Sequence, residues 1–298
     1  MTKRLLVALT GATGVVGRGI LDALVSAGHG VRPVARGEYD LTRPKMAEWL
    51  ELEGVDALVH AAGVTEESAR TEKAAIIAGE GLAALVARAK AQGVGRFVYI
   101  SSAHVYGPLE GRIDETAPVD PRSDYARLHA QSEKVAAAAG LPCDVLRPCN
   151  VYGMPADLAH FERWALIPFG FPRAAAFDGR IVLKTPGLQT RNFVAAAGVG
   201  NSVAARLAEP PAAMRVRNVA GRDTLSVRDF AARVAGIAAS ILGSAPAIEA
   251  PPAGAPAPPA LAYGSADGPW PGDLDGFLGA MVRACMRLKD DAGNGRTA

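Results

Sequence analysis

The feature that most constrains this chain is a glycine-rich turn between an apolar run and an amphipathic stretch near the N-terminus. The apolar run, residues 5–9, has the composition of a parallel strand that is buried on both faces. The turn covers residues 11–17, and apolar residues then recur at helical spacing up to a stop residue, Gly28. This order predicts a pyrophosphate site, because glycines admit close approach and a helix N-terminus offers free N–H groups.

The alternation of short apolar runs and helical stretches continues to about residue 150. It predicts strands at residues 31–35, 57–61, 97–100 and 145–146, and helices at residues 83–91 and 125–139. Such alternation indicates an α/β fold with a doubly wound parallel sheet of the Rossmann type. We expect residues 1–152 to form a dinucleotide-binding domain. Residues 153–298 would mainly form a small C-terminal substrate lobe, with some elements returning to the sheet.

The rhythm weakens in this second part of the chain. A strand at residues 216–219, a helix at 226–240 and a last helix at 273–289 are predicted, with a frayed end from Asp290. Eight prolines fall between residues 245 and 271. That segment is therefore expected to be irregular or mobile.

Charge and cysteine content exclude several classes of protein. The 298 residues carry 32 Lys and Arg against 30 Asp and Glu, a net charge of +2, so nucleic acid is a poor default partner. The three cysteines, Cys143, Cys149 and Cys285, form no CxxC pair, which argues against a disulfide framework and a metal site. The first apolar run is too short for a secretory signal, and the stretch at residues 234–248 is too short to span a membrane. We expect a cytoplasmic protein with no membrane partner.

Several further motifs occur in one order along the chain. His-Ala-Ala-Gly stands at residues 60–63, Arg-Phe-Val-Tyr-Ile-Ser-Ser-Ala-His-Val-Tyr-Gly at 96–107, and Arg-Pro-Cys-Asn-Val-Tyr-Gly at 147–153. Together with the GxxGxxG spacing of the first turn, they resemble the extended short-chain dehydrogenase/reductase family, which includes nucleotide-sugar epimerases and dehydratases. The resemblance implies a small-molecule substrate and an NAD(P)-dependent oxidoreductase acting on a sugar-like or other hydroxyl or carbonyl compound.

The resemblance also implies a catalytic set. The family's serine falls on Ser102 and its acid/base tyrosine on Tyr125, which exchanges the hydroxyl proton during hydride transfer. A free phenol has a pKa of about 10, so relatives place a Lys four residues later, whose charge favours the phenolate. Here His129 stands at that position, and it is the third expected catalytic residue. Lys134, nine residues after Tyr125, lies about half a turn round the helix from it and is not assumed to replace the lysine.

A second departure accompanies the first. The family's structural Asn in the preceding helix falls on Ala78, and its later Asp is replaced by small residues at 196–198. These changes leave an alternative open: a nucleotide-binding Rossmann protein whose activity is lost or is not a redox reaction.

The resemblance assigns binding residues as well. Arg36, after the second strand, favours NADP because its charge would meet the extra phosphate, with NAD as the alternative. The expected cofactor contacts are Gly11, Thr13, Gly14, Val15, Val16, Gly17, Arg36, Asp40, Leu41, Ala61, Ala62, Gly63, Tyr125, His129, Pro148 and Val151. The expected substrate contacts are Ser102, His104, Asn150 and Arg191. By analogy with relatives, the helices at 83–91 and 125–139 would form a homodimer interface.

Overall fold

The structure, a computed structural model, describes residues 3–294. Its strands are β1 (Leu6–Thr10), β2 (Gly30–Val34), β3 (Ala57–His60), β4 (Arg96–Ile100), β5 (Arg112–Ile113), β6 (Cys143–Pro148), β7 (Asn150–Tyr152), β8 (Arg180–Val182), β9 (Thr190–Ala195), β10 (Met214–Val219), β11 (Asp223–Ser226), β12 (Ala247–Glu249) and β13 (Ala262–Tyr263). Its α-helices are α1 (Val15–Ser26), α2 (Glu72–Ile76), α3 (Leu82–Ala91), α4 (Asp124–Ala138), α5 (Ile167–Asp178), α6 (Ala196–Ala208), α7 (Val227–Leu242) and α8 (Leu274–Asn294).

The centre of the molecule is a six-stranded parallel sheet in the order β10-β6-β4-β3-β1-β2. Successive residues of β1 point to opposite faces, and both faces are covered by helices. Ala8 packs with α3 and α4 on one side, whereas Val7 and Leu9 pack with α1 and α6 on the other. The predicted α/β class and doubly wound parallel sheet are confirmed.

The side on which the chain adds strands to the sheet reverses at β1. From β1 the chain first adds β2 on one side and then crosses over to add β3 on the other side. In open α/β sheets, such a switch point leaves a crevice at the carboxyl ends of the two strands. The glycine-rich turn after β1 and the segment after β3 meet at this crevice.

The second part of the chain builds a smaller lobe. A three-stranded sheet, β11-β9-β7, carries α5, α7 and α8, and these elements share an aromatic core. Phe193 of β9 stacks on Phe230 of α7 with ring centroids 4.4 Å apart. β10 leaves this lobe and pairs with β6 at the edge of the central sheet.

The helices and strands predicted before residue 153 lie within a residue or two of the observed ones, with two differences in extent. The chain is already helical from Glu72, and a π-helical turn (Ile77–Gly81) joins α2 to α3. The β6 strand is longer than predicted. The frayed end expected from Asp290 is wrong, because α8 continues to Asn294; the last four residues of that prediction lie outside the described residues.

The proline-rich segment is largely irregular, as expected, but it also contributes β12 and β13. These strands pair in parallel with β8 and β5. The Tyr263 hydroxyl donates to the Arg147 carbonyl at 2.7 Å, which ties the segment to the end of β6. In the range 3–294, no helix is both long and apolar enough to cross a membrane.

Candidate active site

Two glycines of the first turn are required by close packing at the switch point. Gly11 has a φ of 73°, and a Cβ there would lie 2.6 Å from the backbone nitrogen of Ala62. A Cβ on Gly17 would overlap the carbonyl oxygen of Gly11. Any larger residue at either position would push the turn away from the segment after β3.

The third glycine faces open space. A Cβ on Gly14 would only touch the Gly11 carbonyl, at 3.5 Å, and one on Gly63 would meet nothing within 4 Å. Gly14 is also the N-cap of α1 and supplies no side-chain acceptor, so the first N–H groups of the helix, at Val15 and Val16, are free. Thr13 is exposed beside them. Free N–H groups beside an open glycine surface fit the pyrophosphate of a dinucleotide.

The region after β2 would meet the adenosine end of such a ligand. Glu38 accepts hydrogen bonds from the Ala35 N–H at 3.2 Å and from Arg32 at 2.6 Å, so this carboxylate is already engaged. Arg36 is exposed next to it. Asp40 accepts from the N–H and hydroxyl of Thr42, and these bonds, more than the nearby arginines, lower its pKa.

Leu41 lies where the segment after β2 closely approaches the π-helical turn. A Cβ on Gly81, in the π-helical turn, would overlap the Leu41 carbonyl. The segment carrying Asp40 and Leu41 is therefore held against the end of that turn.

The ends of β1 and β3 are joined by polar side chains. Thr10 Oγ1 lies 2.8 Å from Nδ1 of His60, and burial lowers the pKa of His60 to about 4. The neutral ring therefore stays in the core while Ala61, Ala62 and Gly63 continue into the crevice.

Of the remaining expected cofactor contacts, Pro148 ends β6 and Val151 lies in β7.

Ser102 and Tyr125 come together across the carboxyl end of β4. Ser102 follows β4, and its hydroxyl accepts from the His104 N–H at 3.3 Å. Tyr125 lies in the first turn of α4, which is capped by Ser123. Burial raises the pKa of Tyr125, while the Ser102 hydroxyl and the charge of Arg163 act against that rise.

His129 lies one turn beyond Tyr125 on the same face of α4. The two rings meet edge to face with centroids 4.6 Å apart. Nδ1 of His129 is 2.7 Å from the Tyr99 hydroxyl, and its Nε2 is buried with no protein partner. Burial is the main cause that lowers its pKa to about 3, so the ring is neutral at neutral pH.

A small cavity of about 10 Å³ lies between α4 and the π-helical turn, and His129, Tyr99 and Ser132 are among its lining residues. That volume suffices for about one water molecule. Ser132 donates to the carbonyl of Ala78 at 3.0 Å. Ala78 is therefore held against α4 through its backbone.

The residues expected to contact the substrate lie in different surroundings. His104 is a residue with part of its surface exposed, and its ring is 5.9 Å from that of Tyr125. Packing around this ring is the main cause that lowers its pKa, and the charge of Arg191 acts in the same direction. Asn150 is engaged with the Asn192 carbonyl at 3.0 Å. Ser102 accepts the N–H of His104, and the charge of Arg191 acts on the His104 ring. Lys134 is exposed on α4.

Two residues of the site were missed from the sequence. Tyr99 could have been found from strand alternation, which places it on the same side of the chain as Ser101, two residues later. In the structure, Ser101 donates a hydrogen bond to Glu133 of α4. Arg163 carries no local signal, since it lies in an irregular segment between β7 and α5. Only tertiary packing places it near Tyr125.

Comparison with known proteins agrees with this geometry. The family model described as "NAD dependent epimerase/dehydratase family" matches residues 7–220. A dTDP-glucose 4,6-dehydratase of Streptomyces niveus is 37% identical over 108 residues, which are 34% of this chain and 32% of that protein. The chain thus spans about a third of that relative's length.

Solved structures share the fold over nearly the whole chain. RMD from Pseudomonas aeruginosa, complexed with NADPH, superposes with a TM-score of 0.79 at 23% identity, covering 95% of this chain and 99% of that one. DesIV, a dTDP-glucose 4,6-dehydratase from Streptomyces venezuelae with NAD bound, gives a TM-score of 0.74 at 23% identity, covering 95% and 97%. Because the family model covers more than half of the residues, the chain belongs to the NAD-dependent epimerase/dehydratase family.

Proposed function

We propose that this protein is an NAD(P)-dependent oxidoreductase of the epimerase/dehydratase type, acting on a sugar-like or other hydroxyl or carbonyl small molecule. The observation that supports the proposal is that Tyr125, in the first turn of α4, lies beside Ser102, which follows β4. Residues 1–152 hold the dinucleotide, and most of residues 153–298 hold the substrate. A nicotinamide bound there would supply the hydride acceptor or donor.

The protein's own residues manage the proton. As the phenolate, Tyr125 would take the proton from a substrate hydroxyl while hydride leaves the adjacent carbon, and as the phenol it would return a proton to a carbonyl oxygen while hydride joins that carbon. Ser102 hydrogen bonds to the same substrate oxygen and orients it. His104 and Arg191 line the cleft on the substrate side.

His129 has an orienting role in this scheme. Because its ring is neutral, it contributes little charge, but its edge contact with Tyr125 fixes the phenol. Its Nε2 is a free donor or acceptor for the nicotinamide ribose or for a water that relays protons.

Arg36 is the basis for proposing NADP as the preferred cofactor, with NAD as the alternative. The Glu38 carboxylate is engaged by Arg32, so the charge left for a 2′-phosphate is that of Arg36. Titration with NADPH and NADH, followed by nucleotide fluorescence, tests this assignment. Arg36→Ala should weaken NADPH binding about tenfold and leave NADH binding unchanged. Arg43→Ala, which removes another exposed arginine near Asp40, is the matched control.

The reaction class is tested by supplying dTDP-glucose and UDP-glucose to the nucleotide-loaded protein and analysing products by mass spectrometry and NMR. Turnover that is lost in Tyr125→Phe supports the proposal. Turnover that is unchanged in Tyr125→Phe contradicts the role of this phenol.

A second function is favoured by one observation, the uncharged His129 at the position where relatives have lysine. In that alternative, the protein binds the nucleotide but has a regulatory or non-redox activity. NADPH binding with full biological activity in Tyr125→Phe would support it.

We also propose a cytoplasmic homodimer formed through α3 and α4. Small side chains on their exposed faces, including Ala83, Ala87 and Ala137, would allow helices of two copies to approach closely. Light scattering after size exclusion tests the dimer, and Ala83→Arg should convert it to monomer.

A further inference from the structure

The end of β2 lies at the carboxyl edge of the central sheet, beside the start of the glycine-rich turn. Val34, the last residue of β2, pairs in register with Thr10 of β1, and Gly11 follows Thr10 directly. In a dinucleotide-binding sheet, the residue after the second strand meets the ribose that carries the adenine. Ala35 stands at that position in this chain, and its methyl side chain offers no polar group.

The carboxylate of Glu38 lies at this position instead. Its Oε1 accepts a hydrogen bond from the Ala35 N–H at 3.2 Å, and its Oε2 accepts one from Nη2 of Arg32 at 2.6 Å. The backbone fixes the turn, because the Ala35 carbonyl accepts from the N–H groups of both Glu38 and Tyr39 at 3.0 Å. Tyr39 is buried, and its hydroxyl donates to the Gly81 carbonyl. Glu38 is therefore held at the end of β2.

The groups around this carboxylate are those that bind a phosphate. They are the Ala35 N–H, the guanidinium of Arg32 and the exposed guanidinium of Arg36, one residue further along the chain. Backbone N–H groups and guanidinium groups bind phosphate oxygens as readily as carboxylate oxygens. Nη1 of Arg32 is buried and has no hydrogen-bond partner among residues 3–294, so this side chain has a donor beyond those that Glu38 uses.

We propose that Glu38 is a built-in competitor of the adenosine 2′-phosphate: its carboxylate engages the Ala35 N–H and Arg32, and a 2′-phosphate has to displace it. A nucleotide without that phosphate leaves Glu38 in place, as an acceptor for a ribose hydroxyl. Glu38 is thus a specificity-determining residue, which reduces the preference for NADP that Arg36 confers. The inference rests on the proposed binding of a nicotinamide dinucleotide.

The ion pair lies at the surface, where it is readily exchanged. The side chains of Arg32 and Glu38 are 33% and 41% exposed. An exposed pair contributes little to stability, so a phosphate can replace the carboxylate without disturbing the fold. The other carboxylate of this segment, Asp40, accepts from the N–H and hydroxyl of Thr42 and is engaged in its own turn.

The test compares the binding of NADPH and NADH to the full-length protein by nucleotide fluorescence. We expect Glu38→Gln, which keeps the shape of the side chain and removes its charge, to bind NADPH about fivefold more tightly than wild type. It should bind NADH no more tightly, because NADH has no 2′-phosphate. Calorimetry with 2′,5′-ADP and 5′-ADP should give the same difference without any contribution from the nicotinamide.

Glu51→Gln is the matched control. Glu51 is also an exposed glutamate paired with an arginine, Arg88, at 3.2 Å, but it lies in the segment that leads into the amino end of β3. Its substitution removes the same charge and should leave both affinities unchanged. In the Glu38→Gln protein, a further Arg32→Met change should reverse the gain for NADPH, because the phosphate then loses a guanidinium partner while the aliphatic stem is kept.

An unchanged NADPH affinity in Glu38→Gln would overturn the inference. So would an equal gain for NADH, or an equal gain in Glu51→Gln, because either would indicate a general effect of charge. If the affinities change as expected but neither sugar nucleotide reacts, the result counts against the proposed reaction and still supports the role of Glu38. If neither nucleotide binds to wild type or to Glu38→Gln, the nucleotide site and this inference are both wrong.

Discussion

The hydroxyl of Tyr99, on β4, lies 2.7 Å from Nδ1 of His129, on α4. This bond fixes the imidazole between the central sheet and the helix, and its other nitrogen, Nε2, is left without a protein partner. The ring is held in place as a neutral group. Its contribution to the site is therefore one of geometry and hydrogen bonding.

Removal of the Tyr99 hydroxyl should uncouple the His129 ring. Tyr99→Phe leaves both ring nitrogens buried without protein partners, so we expect the free energy of unfolding to fall by about 1–3 kcal/mol. Turnover should fall as well, because the imidazole no longer has a fixed orientation. Urea denaturation and steady-state kinetics measure the two effects.

Tyr39→Phe is a suitable control for this prediction, because its hydroxyl also donates a buried hydrogen bond, to the Gly81 carbonyl at 2.5 Å. It should destabilise the protein and leave kcat unchanged. Equal losses of kcat in both variants would show that the Tyr99–His129 bond has no special role.

Acid should destabilise the protein through its buried histidines. The folded-state pKa values are about 4 for His60 and about 3 for His129, against about 6.5 in an unfolded chain. Between pH 6.5 and these values the unfolded state binds more protons, so stability is full above pH 6.5 and falls as the pH decreases. Each histidine contributes up to about 1.4 kcal/mol per pH unit.

The pH dependence of urea unfolding between pH 7 and 4 measures this slope. His129→Gln should remove its share, and a slope identical to that of wild type would contradict the buried neutral ring.

A lysine at residue 129 should make the Tyr125 phenol easier to ionise. In His129→Lys, the ammonium group favours the ionised form of Tyr125, so we expect activity at neutral pH to increase and the pH profile to shift to lower values. The free energy of unfolding should decrease, because a charge replaces a neutral ring in a buried position. His129→Met, of similar length but uncharged, should not shift the profile; a common profile for the two variants would exclude the electrostatic explanation.

Two glycine substitutions in the first turn should have different effects, one on stability and the other on nucleotide binding. Gly17→Ala places a methyl group against the Gly11 carbonyl, so we expect a large loss of thermal stability. In Gly14→Ala the methyl group makes only an ordinary contact, at 3.5 Å, and projects into the open surface. This variant should keep the Tm of wild type and bind NADPH about tenfold more weakly. Unchanged NADPH affinity in Gly14→Ala would place the pyrophosphate elsewhere.

Much of the fold was predictable because its signals are local. Strand β1 and helix α1 follow from apolar spacing, and the turn between them follows from its closely spaced glycines, of which Gly11 and Gly17 have no room for a side chain. The limits of α8 were harder to place, because its end, with Lys289, Asp290 and Asp291 in succession, has no apolar spacing from which a helix could be predicted.

The sequence by itself determined the order of strands and helices and the doubly wound sheet. It also supplied Ser102, Tyr125 and His129, which the resemblance to the family assigns as catalytic residues. Only the tertiary structure decided the state of these groups. The neutrality of His129 depends on how deeply the ring is buried, and its orientation depends on Tyr99, 30 residues away on another element. Periodicity and glycine sterics act between neighbours in the chain, whereas desolvation and charge act between residues that only folding brings together.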